Sequence, residues 1–413
     1  MTDKSAKTIA IIGAGAAGLI AADHLTELAQ DQEQNWQITL YDAMPSPARK
    51  ILMAGKSGLN LTHAQPIDDF IAAYGDYADW MEPMIREFGP REVRSWSYAM
   101  GQSTFEGSSG RVFPESMKAS PLLRSHFKHL ESRGVKMVTR HRWIGWSDDG
   151  ALLFDTPDGQ ATVEADAVLL ALGGPSWPRL GTDGKFLSIL EEKDIACKPY
   201  RPANCGFEVD WSEQFAQQWA GEPVKSVTLK FGPYSIQGDF VITHYGIEGS
   251  AVYGLSAPLR DAIAECGPIE LQVDLRSHHD LAEVERRLNQ PRGKQSFANH
   301  IRKRIHLKGV QAALLKECTE RDVMSDMGKL AKAVKGLPIT AIGPRPIEEA
   351  ISTAGGVCLS EMDDELMVKR QPGLFIAGEM LDWEAPTGGY LLTGCMSQGY
   401  QAATGIGRYL NSI

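Results

Sequence analysis

The run TIAIIGAGAAGLIAADHLTELA, residues 8–29, constrains the fold of this chain more than any other stretch. Thr8 to Ile12 is β-branched and apolar, the composition of a parallel strand buried on both faces. Gly13-x-Gly15-x-x-Gly18 follows at once and opens an Ala/Leu-rich helical pattern. In such a turn Gly13 bends the chain, Gly15 leaves room for a pyrophosphate, and Gly18 lets helix and strand pack closely. Ala16 and Ala17 start the helix, whose unpaired N–H groups and positive dipole end face the phosphates. QITLYDAMP, residues 37–45, reads as a second strand ending at Asp42 and Ala43. An acid roughly 20 residues past the third glycine is placed to accept hydrogen bonds from a ribose diol. A merely glycine-rich helix–strand turn has no use for that second strand and its acid.

The fingerprint alone does not separate NAD from FAD. The next segment, ARKILMAGKSGLNLTH (residues 48–63), tips the choice to FAD. A simple dehydrogenase proceeds promptly to another crossover helix, whereas a long excursion here reaches along an extended FAD. Arg49 and Lys50 are expected at the pyrophosphate. Gly58, Leu59, Asn60, Leu61 and Thr62 offer backbone N–H groups and an amide to a ring. The plainer alternative is an exposed flexible loop. A further apolar strand, residues 165–172, ends at Ala171 and Gly173-Gly174, on the ligand side of a doubly wound sheet. Near the C-terminus GLFIAGEMLDWEAPTGGY carries Gly378-Glu379 and Gly388-Gly389-Tyr390. A helix starting near Gly389 with its N-terminus at flavin N1/O2 would stabilise the reduced ring by about 1–2 kcal/mol; a turn before a surface helix is the alternative. No second dinucleotide fingerprint occurs. NAD(P)H is therefore expected only as a transient reductant, with a protein as the other candidate electron donor.

At 413 residues the chain exceeds one simple core. Residues 226–246 alternate with period two, and residues 279–337 are helical in pattern, broken at Pro291 and Gly309. The expected fold class is α/β: a discontinuous FAD-binding Rossmann domain (1–195 and 346–413) interrupted by a β-rich unit (196–268) and a helical unit (269–345). Residues 119–146 read as a helix and then a strand, followed by a small meander. A formal net charge of -10 argues against a dedicated nucleic-acid binder. No apolar run approaches the roughly 20 residues that span a bilayer, and the start lacks a signal-peptide pattern. Six scattered cysteines without C-x-x-C argue against a disulfide framework, a zinc ribbon and a redox dithiol, and suit a reducing cytoplasm. No metal site is expected.

Gly13 to Gly18, RKILMAGKSGLNLTH and GLFIAGEMLDWEAPTGGY together resemble the BaiN/YhiN-like flavoproteins, the HI0933-like family. GSSGRVFPESMKASPLL and ITHYGIEGSAVYGLS extend the resemblance over nearly the whole chain, closest to a bacterial branch. It implies an FAD domain of glutathione-reductase type with an inserted barrel-like β unit and a helical unit. It also implies a ribityl hydrogen bond for Glu379 and reduction of enone- or uracil-type double bonds. The chain departs from the family pattern at Gly58-Leu59-Asn60, where the usual loop is richer in glycine and carries Arg-Cys. It departs again at Thr243 to Ser250, and at Leu391-Leu392.

Catalytic candidates are few. His244, in a Thr-His-Tyr-Gly turn, would donate a proton or polarise a carbonyl, or else serve structurally. Arg111 would hold an anionic or carbonyl substrate, or form a structural ion pair. Tyr390 would flank the isoalloxazine, or pack as an ordinary aromatic. The basic stretch Arg292, Lys294, Arg302, Lys303, Arg304 and Lys308, with His300 and His306, is either a solvated face or an RNA dock. Two functions follow: an FAD-dependent oxidoreductase acting on a small molecule or an RNA uridine, or a flavin-binding RNA-binding or scaffold protein with little turnover.

Overall fold

The computed structural model describes residues 6–413. The chain forms two compact units: residues up to Arg201 together with Ser352–Ile413, and Pro202–Ile351.

The first unit is organised on a five-stranded sheet of β1 (Lys7–Ile12), β2 (Trp36–Asp42), β3 (Lys136–Thr139), β4 (Ala167–Leu170) and β5 (Leu374–Ile376). The order is β5-β4-β1-β2-β3 and every pairing is parallel. Ile11 sits in register between Leu169 and Leu40. Neighbouring Ile9 and Ile12 are as deeply buried, which is why β1 reads as a continuous apolar run rather than an alternating one. β5 comes from the far end of the chain and pairs with β4, Val168 opposite Leu374. The two sequence segments of this unit thus complete one sheet.

Three helices position the site: α1 (Ala16–Asp31), α2 (Arg49–Ala54) and α3 (Tyr390–Ser412). α1 and α3 touch backbone to backbone, since a Cβ on Gly399 would overlap the Ala17 carbonyl. The Tyr400 ring stacks on His24 with centroids 3.7 Å apart. A short sheet carries Arg111–Pro114 between Thr62–His63 and Thr104–Glu106. The stretch after the helix Ala119–Ser132 divides. Lys136–Thr139 joins the parallel sheet as β3, and Arg142–Trp146 begins an antiparallel meander with Leu152–Thr156 and Gly159–Val163. Arg140, at φ +59°, lies at the break.

The second unit holds a seven-stranded sheet in the order Leu337–Ala341, Ile269–Asp274, Pro223–Phe231, Tyr234–Ile242, Gly246–Glu248, Phe207–Glu208, Gly343–Pro344. Its pairings are antiparallel. Four helices, Leu281–Leu288, Phe297–Ile305, Val310–Glu317 and Met327–Lys335, lie between two of these strands in sequence. Leu288, Ile305, Leu314 and Val334 from the helices share one core with Leu229, Phe240 and Leu271 from the sheet. The β-rich and helical segments therefore fold as one body.

Candidate active site

The turn after β1 shows why each glycine is there. Gly13, at φ +110°, donates its N–H to Tyr41 O at 2.8 Å, and a Cβ on it would overlap the Ala171 carbonyl. A Cβ on Gly18 would overlap the Gly13 carbonyl. Gly15 differs: its φ is -88° and a Cβ there would meet nothing within 4 Å. The fold does not need glycine at 15, so the reason for one lies in what approaches this turn. α1 has neither a side-chain cap nor an acid in its first turn. Its N–H groups are left for an anion.

At the end of β2 the Asp42 carboxylate accepts from Met44 N at 2.8 Å and from Ala14 N at 3.3 Å. Burial pushes this carboxyl above its usual range, opposed by those two N–H groups and by the nearby charge of Arg49. Ala43 follows, half-buried. Lys50 instead turns to the protein: its Nζ donates to Gly174 O at 2.5 Å and Ser176 Oγ at 3.1 Å and lies 3.5 Å from Glu379 Oε2.

The Gly58–Thr62 loop is more occupied than its sequence suggests. Leu59 N donates to Met117 O and Leu61 N to Val112 O, both at 2.9 Å. The Asn60 amide oxygen is shielded from solvent and has no hydrogen-bond partner among the described residues, an acceptor that calls for an outside donor. Thr62 pairs with Val112 and takes a hydrogen bond from Thr393 Oγ1 at 2.9 Å.

α3 starts on that same loop. Gly388 and Gly389 have φ of +127° and +94°, and the first turn of α3 carries no acid. The Tyr390 hydroxyl donates to Gln65 Oε1 at 3.1 Å, and its ring lies 5.6 Å from His63 at an interplanar angle of 18°. Burial raises the phenol pKa, opposed by Gln65 and by the charge of Arg111. Arg111 is the register partner of His63, half-buried, and its guanidinium has no hydrogen-bond or carboxylate partner among the described residues. Gly378 N donates to the fully buried Gln398 Oε1 at 2.7 Å, and Gly378 O accepts from Trp383 Nε1 at 2.9 Å. Glu379 accepts from Thr353 N at 2.9 Å, Thr353 Oγ1 at 3.3 Å and Gly174 N at 3.4 Å.

The profile of the HI0933-like protein Rossmann domain matches residues 7–405. The chain belongs to the HI0933-like family. Among relatives, it is 26% identical to the 3-dehydro-bile acid delta(4,6)-reductase of Clostridium scindens, over 95% of this chain and 97% of that one. It is 24% identical to the ribosomal RNA dihydrouridine synthase of Haemophilus influenzae, covering 96% and 98%. The Escherichia coli protein of the same name is also 24% identical, covering 92% and 93%.

In this HI0933-like chain Gly13 to Gly18, Asp42, Arg49, Lys50, Asn60, Gly173-Gly174, Glu379, Arg111 and Tyr390 all fall in the first unit. His244 falls in the second, exposed in a turn closed by Thr243 N to Gly246 O at 2.8 Å. The basic stretch is also there and is not uniform. Arg292, Lys294, Arg302, Lys303, His306 and Lys308 are exposed, while His300 is buried against Leu288 O at 2.9 Å and Arg304 donates to Pro291 O at 3.3 Å. Sequence reasoning missed His63, Gln65, Ser176, Thr353 and Gln398. Only His63 carried a local signal, as the last residue of the loop motif. Among the described residues no helix is long and apolar enough to cross a membrane.

Proposed function

We propose that this chain is an FAD-dependent oxidoreductase that reduces an activated C=C bond in an enone- or uracil-like acceptor. The oxidoreductase class agrees with the bile-acid reductase matched over nearly the full length of both chains. The observation that carries the cofactor is Gly15, a glycine that backbone conformation and packing leave unexplained and a pyrophosphate explains. The partnerless Asn60 oxygen supports a second polar contact with the same ligand.

Gly13, Gly15, Ala16, Ala17 and Gly18 would hold the pyrophosphate and Asp42 with Ala43 the adenosine ribose. Ala171, Gly173, Gly174, Gly378 and Glu379 would line the ribityl side. Residues 58–62 with Gly388, Gly389 and Tyr390 would surround the ring. When bound, FAD supplies the hydride chemistry. The chain's part is to orient the acceptor and manage charge. The Arg111 guanidinium holds the acceptor's carbonyl oxygen, where negative charge develops as the double bond is reduced. The Tyr390 hydroxyl, oriented by Gln65, supplies a proton. His244 is the alternative donor. NAD(P)H or a protein supplies the electrons.

The test is the visible spectrum of the purified protein. Anaerobic NADH or NADPH should bleach the band near about 450 nm, a property of the flavin, and 2-cyclohexen-1-one or a uridine-containing RNA should restore it. A colourless protein that takes up no FAD sinks the proposal.

A second reading, a flavin-binding RNA-binding protein with little turnover, draws on the exposed Arg302 and Lys303 and on the relatives named for ribosomal RNA. Reversing both charges should then abolish salt-sensitive RNA retention. Retention equal to wild type removes this reading.

A further inference from the structure

Behind the ends of β4 and β5, a lysine and a glutamate from opposite ends of the chain form a partly buried ion pair. The Glu379 side chain is 9% exposed and that of Lys50 30%. A buried carboxylate is costly unless hydrogen-bonded and paired with a cation. Glu379 takes hydrogen bonds from Thr353 N, Thr353 Oγ1 and Gly174 N, and Lys50 is the cation beside it. An ammonium has three donors and no acceptor. For Lys50, the Gly174 carbonyl and the Ser176 hydroxyl take two of them, and the Glu379 carboxylate lies within ion-pair distance at 3.5 Å. Its neighbour Arg49, by contrast, has no hydrogen-bond partner among the described residues and lies close enough to Asp42 for its charge to oppose in part the burial that raises that carboxyl's pKa.

The buried residue Ala48 helps to set this division. It precedes α2 in the left-handed conformation, φ +58°, so the helix starts abruptly with Arg49 and Lys50 as its first two residues. Successive residues at a helix start project in different directions, about 100° apart. Lys50 is the one whose side chain reaches the segments that follow β4 and β5.

We propose that Lys50 is a positioning residue rather than a phosphate ligand. It compensates Glu379 and fixes that carboxylate against Gly174 and Thr353 at the ribityl side of the FAD site, while Arg49 is the member of the pair that meets the phosphates. The proposal rests on the FAD reading given above. It departs from the assignment of both basic residues to the pyrophosphate, and it ties the two sequence segments of the unit together through one charge.

The experiment compares Lys50→Met, Glu379→Gln, the double variant and Arg49→Met. It measures FAD affinity by fluorescence titration of apoprotein, the flavin midpoint potential, and the apoprotein melting temperature. Lys50→Met should weaken FAD binding at least tenfold and shift the potential to more negative values, because an uncompensated carboxylate opposes the charge gained on reduction. The double variant should melt higher than Lys50→Met, return the potential toward wild type, and bind FAD no more weakly than Glu379→Gln alone. Arg49→Met should weaken FAD binding without lowering the apoprotein melting temperature. Additive losses in the double variant, as expected if Lys50 bonded phosphate directly, overturn the proposal. If Lys50→Met does not fold, folding of the double variant supports the proposal and its failure to fold overturns it. The melting cycle needs no flavin, so a wild-type protein that takes up no FAD would remove the FAD reading while the pairing of Lys50 with Glu379 is still decided.

Discussion

A Cβ placed on Gly389 would stand 2.5 Å from Thr62 Cα and 2.7 Å from Thr62 N and C. The helix that ends the chain thus starts directly on the backbone of a loop from its beginning. Thr393, one turn further on, bonds Thr62 through its hydroxyl. Gly389→Ala has to meet both this overlap and a φ of +94°. Strain of this kind and overpacking each cost about 1–3 kcal/mol, so urea denaturation of the apoprotein should show a loss of about 3 kcal/mol. A loss under about 1 kcal/mol would mean that α3 shifts freely on the loop.

The fingerprint glycines predict opposite phenotypes. Gly18→Ala drives a methyl into the Gly13 carbonyl and should fail to fold or melt far lower. Gly15→Ala adds a methyl that touches no protein atom at an ordinary φ. It should leave the apoprotein melting temperature unchanged or slightly raised, while FAD binding falls at least tenfold, about 1.4 kcal/mol. Equal FAD affinity in Gly15→Ala and wild type would place the cofactor elsewhere.

The contrast between those glycines also shows how far the sequence reaches. β1, the fingerprint turn and α1 are legible because they obey local rules: a both-faces-buried strand is continuously apolar, and a tight turn into a helix needs glycine. That residues 374–376 belong with the first unit is legible from an apolar run that meets Gly378-Glu379, whereas their place beside β4 is not. Lys50 is different. Its neighbours in sequence suggest phosphate, yet its acceptors are Gly174 and Ser176 and its counter-charge is Glu379, and no local pattern announces a partner hundreds of residues away. Thr353 and Gln398 are invisible for the same reason, since a polar residue in an apolar strand or helix acquires meaning only from the buried group it satisfies. The Leu59 and Leu61 N–H groups err in the other direction: they look available in the sequence and are bonded to Met117 and Val112 in the fold.

Acid stability should depend on Asp23. His126 Nε2 and His129 Nε2 lie 3.4 and 3.1 Å from its carboxylate, and His126 is fully buried. Burial alone would raise the Asp23 pKa. The His126 contact and the charges of His126, His129 and Arg133 outweigh it and hold the carboxyl below its usual value of 3.8. A depressed folded pKa means stability that is complete above 3.8 and lost as pH falls through the folded value. Asp23→Asn should therefore cost about 2 kcal/mol at neutral pH. Its deficit relative to wild type should narrow in urea titrations carried below pH 3.8. A deficit independent of pH would mean that Asp23 acts by shape rather than by charge.

Tyr390→Phe separates chemistry from construction. The variant keeps the ring beside His63 and Phe70, and it keeps the backbone carbonyl that accepts from Tyr74 at 2.8 Å. It removes the hydroxyl that donates to Gln65. The phenol, whose pKa burial raises further above neutrality, is protonated across the neutral range. FAD uptake and melting temperature should change little. Reoxidation of the reduced protein by 2-cyclohexen-1-one should slow by roughly 100-fold, the lower range for a lost general acid. An unchanged rate with intact FAD binding would transfer the proton to another donor, and His244→Ala in the same assay would then identify or eliminate the remaining candidate.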